Sequence, residues 1–227
     1  MDILRKISAF KEEFNTVCHK ASRNSTSIQI LYATKYLNGN HLISFIDIMK
    51  QIDSKKLIIG ENRVQDWEGK YLFIKESRPD LLNKIYPVMI GSLQTNKINR
   101  ALSIFEEIHS VDSLGLAQEI NTRVKGAPLP IYIEVNVSRE ESKHGFRIEE
   151  IERVMNTMLQ FSNVTIKGLM TMAPYSGNLE DIRGIYRKLK ELANRYNLLT
   201  SMGMSNDWKI AIEEGSDMIR IGSAIFN

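Results

Sequence analysis

The chain has 227 residues, 43% apolar and 25% charged, which allows one large core of ordinary composition and argues against disorder. The net charge is only +3, and no Lys/Arg stripe with interleaved aromatics appears, so no nucleic-acid partner is expected. No apolar run approaches the roughly 18 to 20 residues of a membrane span, and the single cysteine, Cys18, rules out an intrachain disulfide or a cysteine-cluster metal site.

The first 22 residues place Ile3, Leu4, Ile7, Phe10, Phe14 and Val17 at helical spacing, and Glu12 and Glu13 make this segment unlike a secretory signal. A reducing, cytoplasmic setting is therefore expected. Short β-rich runs follow at Ile28–Thr34, Leu57–Ile59, Ile85–Ile90, Glu107–Val111, Ile131–Val137, Ile166–Met172, Leu199–Met202 and Met218–Ile221. Between them lie segments of period near 3.6, such as His41–Gln51, Gly115–Val124, Ile148–Leu159 and Leu179–Tyr196. Strands alternating with helices need right-handed crossovers and favour a parallel sheet. Eight such units predict an α/β fold, a closed (β/α)8 TIM barrel with an extra N-terminal helix, as a single domain over residues 1–227. The rival, an open doubly wound sheet, lacks a GxGxxG turn after the first strand.

In such a barrel the C-terminal strand ends converge on one mouth, where chemistry is normally found. The first of these turns supplies Lys35. The second is Gly60-Glu61-Asn62-Arg63-Val64-Gln65, and the fourth places Asp112 after His109-Ser110-Val111. The seventh runs Ser201 to Trp208, and the eighth is Arg220-Ile221-Gly222-Ser223. Loops after strands 7 and 8 often bind phosphate, so the Gly222 and Ser223 amides and the Ser201 and Ser205 hydroxyls are candidate phosphate donors. Ser205 or Ser223 acting only as a helix cap is the plainer reading, and the two are compatible.

A lysine at the mouth with an anion-friendly turn near the chain's end points to a Schiff base with a phosphorylated aldehyde. The free amine has a pKa near 10.4, which a partly desolvated mouth and a cation such as Arg220 would lower. His19, His41, His109 and His144 show no ligand spacing and read as surface or packing residues, so no metal site is expected. The methionines read as core filler, although Met172, Met202 and Met204 could pad a ring face.

Seven motifs in register are similar to those of the pyridoxal 5′-phosphate (PLP) homeostasis proteins, the YggS/PROSC family. They are Ala33-Thr34-Lys35, Gly60-Glu61-Asn62 with Val64-Gln65, Ile90 to Lys97, Glu141-Ser142-Lys143-His144-Gly145, Lys167 to Met172, Met202-Gly203-Met204-Ser205 and Ile219 to Phe226. The resemblance implies the barrel of the alanine racemase N-terminal domain, with PLP joined to Lys35 as a Schiff base. It implies phosphate near Ser201, Ser205, Gly222 and Ser223, Arg220 at the pyridine nitrogen, and Asn62 near the ring. An arginine there leaves the ring nitrogen unprotonated and weakens the electron sink, so a PLP carrier in vitamin B6 homeostasis is implied rather than a turnover enzyme. No catalytic residue is then expected, PLP-dependent apoenzymes are the candidate recipients, and a monomer is expected. The alternatives are a PLP-dependent amino-acid racemase, which needs a second proton-transfer group such as Tyr36 or His144, and a barrel for another phosphorylated metabolite. The racemases also draw a tyrosine from an added β domain, for which this chain has no room before Asn227. Three departures stand out: Val88 where the family has histidine, Asp66 where glutamate is common, and Asn227 in place of a longer C-terminal continuation that supports the last helix.

Overall fold

Several of the β-rich runs are apolar on both sides, as suits parallel strands with one face toward helices and the other toward a packed barrel interior. In the computed structural model, which describes residues 2–174 and 178–226, the strands are β1 Gln29–Ala33, β2 Leu57–Glu61, β3 Ile85–Met89 and β4 Glu107–Val111. They continue with β5 Leu129–Glu134, β6 Val164–Met170, β7 Leu199–Ser201 and β8 Met218–Ile221. They pair in sequence order, and β1 closes the barrel against β8.

The helices are α1 Asp2–Lys20, α2 Gly39–Ile52, α3 Val64–Ser77, α4 Ile98–Leu102 and α5 Leu114–Arg123. α6 Ile151–Met158, α7 Leu179–Arg195, α8 Trp208–Glu213 and α9 Ser223–Phe226 complete the set. Local chemistry starts several of them. Asn38, Ser113 and Asn178 each accept a hydrogen bond from the backbone N–H three residues on, which caps α2, α5 and α7. Ile151, Val154, Met155 and Met158 put one apolar stripe of α6 on the sheet.

Strand residues divide by parity. Tyr32, Ile59, Met89, Ile108, Ile133 and Ile219 pack outward into the main core under the helices. Leu31, Val88 and Met218 form a separate apolar cluster with Ile58, Tyr86 and Ile90 inside the barrel. Val88, where the family resemblance leads one to expect histidine, is thus a fully enclosed interior side chain.

The N-terminal helix is present and packs on α8 and α9. Its buried face is Ile7, Phe10, Phe14 and Cys18, with the Phe10 and Phe14 rings 5.4 and 6.3 Å from that of Trp208. Leu4, expected on that face, is half exposed, and Cys18 takes the inward position four residues after Phe14. Strand β2 runs on through Gly60 and Glu61, which the sequence reading assigns to a turn, while β5 stops at Glu134 rather than Val137. The last helix, α9, covers four of the described residues; the expectation about Asn227 lies outside them.

The chain leaves β7 through Gly203 at φ +98°, a conformation that L side chains avoid. A Cβ there would stand 2.5 Å from the Ala211 Cβ and 3.1 Å from the Trp208 Cα. Gly203→Ala is expected to destabilise the fold by about 2–4 kcal/mol, backbone strain and overlap combined. Urea unfolding measures this, and a loss within experimental error of zero would contradict it.

Candidate functional site

Thr34, Lys35 and Tyr36 form one tight turn as β1 ends. Lys35 is exposed rather than partly desolvated as expected, and its Nζ lies 5.1 Å from the centre of the Tyr36 ring. The residue before it is locked. Thr34 is fully buried, and its hydroxyl donates to Glu61 Oε1 at 2.6 Å. Lys70, reaching in from α3, donates from Nζ to the same oxygen at 2.8 Å and to the Thr34 carbonyl at 2.9 Å. Burial pushes the Glu61 carboxyl up, and the Lys70 ammonium pulls against that shift. Glu61 stays in the strand because Lys70 compensates its charge there.

Above this clamp lies a cavity of about 460 Å³ at the C-terminal mouth of the barrel. Lys35, Asn62, Ser205, Arg220, Gly222 and Ser223 all line it. Ser201 does not. It is enclosed, and its hydroxyl accepts from Arg220 Nη1 at 2.9 Å, with its carbonyl at 2.8 Å from the same nitrogen. Arg220 Nη2 donates to the Thr171 carbonyl at 2.8 Å. The guanidinium is therefore buried on neutral oxygens, with no carboxylate ion pair among the described residues. Burial pulls its pKa below the usual arginine range, opposed by Tyr186, Asp207 and Glu134, and it remains a cation.

Beside the end of β1, the backbone N–H groups of Gly222 and Ala224 both point at the Ser205 hydroxyl, each at 3.2 Å. Ser205 thus ties the loop after β7 to that after β8 and does not cap its own helix. Asp207 secures the first of these loops by accepting from the Met204 N–H. Gly222 is needed for closeness: a Cβ would lie 3.1 Å from the Tyr36 ring and 3.2 Å from the Ala33 Cβ.

One lining residue escapes the sequence reading. Glu134, the last residue of β5, lines the same cavity while nearly enclosed. Burial, and Asp112 beyond it, push its carboxyl up to about 7 against the pull of Arg220 and His144. A charge ending the apolar run Ile131-Tyr132-Ile133 was the available signal. Tyr36, His144, Met172 and Met204 also reach the cavity, whereas Met202 is core. His109 is a packing residue inside the barrel, its Nε2 2.6 Å from Glu107 Oε1, and Tyr86 donates to the other oxygen of Glu107 at 2.9 Å. Burial pulls the His109 pKa down, against the hydrogen bond and charge of Glu107. Among the described residues no group of three or more His, Cys, Asp or Glu could hold a metal ion.

Lys70→Met leaves a buried carboxylate unpaired and is expected to cost about 3–5 kcal/mol at neutral pH. The raised Glu61 carboxyl takes a proton as pH falls, so the deficit should shrink toward pH 5, and adding Glu61→Gln should recover most of it. Urea unfolding of the single and double variants at both pH values measures this; a deficit unchanged by Glu61→Gln would contradict the clamp.

A family model described as the N-terminal domain of alanine racemase matches residues 78–227. A pyridoxal phosphate homeostasis protein of Aquifex aeolicus is 35% identical over 100% of this chain and 98% of its own. Among solved structures, PipY of Synechococcus elongatus with PLP bound superposes at a TM-score of 0.81 with 22% identity, covering 99% of this chain and 100% of PipY. An alanine racemase of Clostridium difficile superposes at 0.68 with 12% identity, covering 99% of this chain and 56% of the racemase. At those identities the two structures show a shared fold.

Proposed function

Since the chain belongs to the pyridoxal phosphate homeostasis protein family, with the alanine racemase N-terminal barrel, we propose that it binds PLP in the mouth cavity and holds it as a carrier without turnover. The observation that carries this reading is the cavity itself, which has an amine on one wall and a pair of convergent backbone donors on another.

The donor set fits the cofactor. The Gly222 and Ala224 amides make long bonds to a neutral hydroxyl, and a phosphate oxygen is a stronger acceptor for such donors. Ser205, Gly222 and Ser223 would hold the phosphate, and Lys35 Nζ would make the covalent attachment to the aldehyde. Arg220 would face the pyridine nitrogen, Asn62 would stand near the ring, and Ser201 would act by fixing Arg220. When bound, PLP supplies an electrophilic carbonyl and an electron-withdrawing ring. A guanidinium has no proton to give at neutral pH, so Arg220 would keep the ring nitrogen unprotonated and the ring a weak electron sink. The Thr34–Glu61–Lys70 clamp would keep the Lys35 turn in place.

The proposal extends to a cytoplasmic monomer with PLP-dependent apoenzymes as recipients. The lone, buried Cys18 suits a reducing compartment, and no helix among the described residues is long and apolar enough to cross a membrane. A racemase-like reading has one observation in its favour, Tyr36 and His144 on the same cavity as Lys35. Exchange of solvent deuterium into the α-carbon of amino acids by the PLP-loaded protein would establish it.

With added PLP, wild type should develop a visible absorption band, and borohydride should trap an adduct on the peptide carrying Lys35. Lys35→Ala should lose the band and adduct while keeping the wild-type circular dichroism spectrum. An adduct of equal yield in Lys35→Ala would remove Lys35 from the site.

A further inference from the structure

Glu134 takes no part in the roles above, yet it is one of two buried acids on the cavity, and the other, Asp207, is already held by the Met204 N–H. Glu134 is 5% exposed, and its carboxyl group makes no hydrogen bond or ion pair among the described residues. Charged and titratable groups face it from every side: Asp112 after β4, His144 after β5 and Arg220 on β8, with Lys35 after β1 and Asp207 after β7 on the same cavity. Arg220, the arginine on this cavity, is already committed to Ser201 and Thr171 and makes no ion pair with Glu134 among the described residues. An unpaired, desolvated carboxylate is costly as an anion and far less so as a neutral acid.

We propose that Glu134 is a proton-linked specificity residue of the cofactor pocket, holding a proton when an anionic phosphorylated ring ligand is seated and opposing that ligand when ionised. This inference rests on reading the cavity as the PLP site.

The sign follows from charge. With Glu134 protonated, the Arg220 and Lys35 cations outnumber the one remaining acid on the cavity, Asp207, which suits a phosphate dianion. With Glu134 ionised, one of those charges is cancelled and the incoming dianion meets a like charge. Burial places this transition near neutrality, at about 7. The ligand stabilises the protonated acid, so binding above neutrality draws a proton from solvent onto Glu134. Affinity then falls as pH rises, by at most about tenfold per pH unit for one linked proton. Glutamine keeps the shape and a donor but cannot ionise.

The test uses the full chain and pyridoxine 5′-phosphate, which has the ring and phosphate but an alcohol in place of the aldehyde, so amine attachment does not enter. Calorimetric titration at pH 6.5 and 8.5, in two buffers of different ionisation heat, reads affinity and proton uptake together. Wild type should take up protons above neutrality, and its affinity should fall at least about threefold more between the two pH values than that of Glu134→Gln. Asp112→Asn removes a neighbour that raises Glu134, and should move the wild-type transition to lower pH. Equal proton uptake and parallel pH profiles in wild type and Glu134→Gln would overturn the proposal while leaving the site intact. A transition unmoved in Asp112→Asn would also count against it. Failure of wild type to bind both this ligand and PLP would instead overturn the site, and the proposal with it.

Discussion

Closure of the sheet between β1 and β8 is the constraint on which the rest of this molecule depends. The seam sets Leu31 beside Arg220 and Tyr32 beside Ile221. Because the register is parallel, the turns that follow must emerge side by side. Lys35, from the first unit, thus shares a cavity with Gly222 and Ser223, from the last. Close packing across the seam, with Gly222 against Ala33 and Tyr36, makes the two turns one surface. An open sheet of the same strands would leave them at opposite edges.

Around that seam the protein meets the problem of buried charge in different ways. Glu61 is compensated by a full ion pair, and Lys70 thereby fastens α3 to the end of β1. Glu107 collects a histidine and a tyrosine donor deep in the barrel, which hold its carboxyl below the usual range despite burial. Arg220 is satisfied by two carbonyls and a hydroxyl, which leaves its positive charge uncompensated at the cavity floor. The Glu134 side chain alone among these groups has neither a hydrogen bond nor an ion pair, among the described residues. The first two arrangements tie the scaffold together. The last two leave charge facing the space where a ligand would sit, which is where unresolved electrostatics is useful.

The strand pattern was plainly legible because short apolar runs ended by polar or glycine-rich turns reflect burial on both faces of a closed sheet. Lys35, Asn62, Ser205, Arg220, Gly222 and Ser223 were legible because turns after barrel strands converge on one mouth whatever their spacing in the chain. Less visible was α3, whose outward Leu72 and Phe73 blur the 3.6-residue period. Leu4 and Cys18 exchange places on α1 because the pattern around one helix does not say where its partners α8 and α9 lie.

By itself, then, the sequence determined the alternation of elements, the barrel they close into, and which turns share its mouth, since these follow from local periodicity and chirality. Only the tertiary structure decided what each polar side chain does there. Glu61 looked like a turn residue until Lys70 was brought onto it from the next helix. Ser201 looked like a phosphate donor until Arg220 turned it into a bracket. Glu134 gave no sign of sitting beside an uncompensated arginine. Hydrogen bonding and desolvation depend on distances between side chains far apart in the chain, and those distances exist only once β1 has met β8.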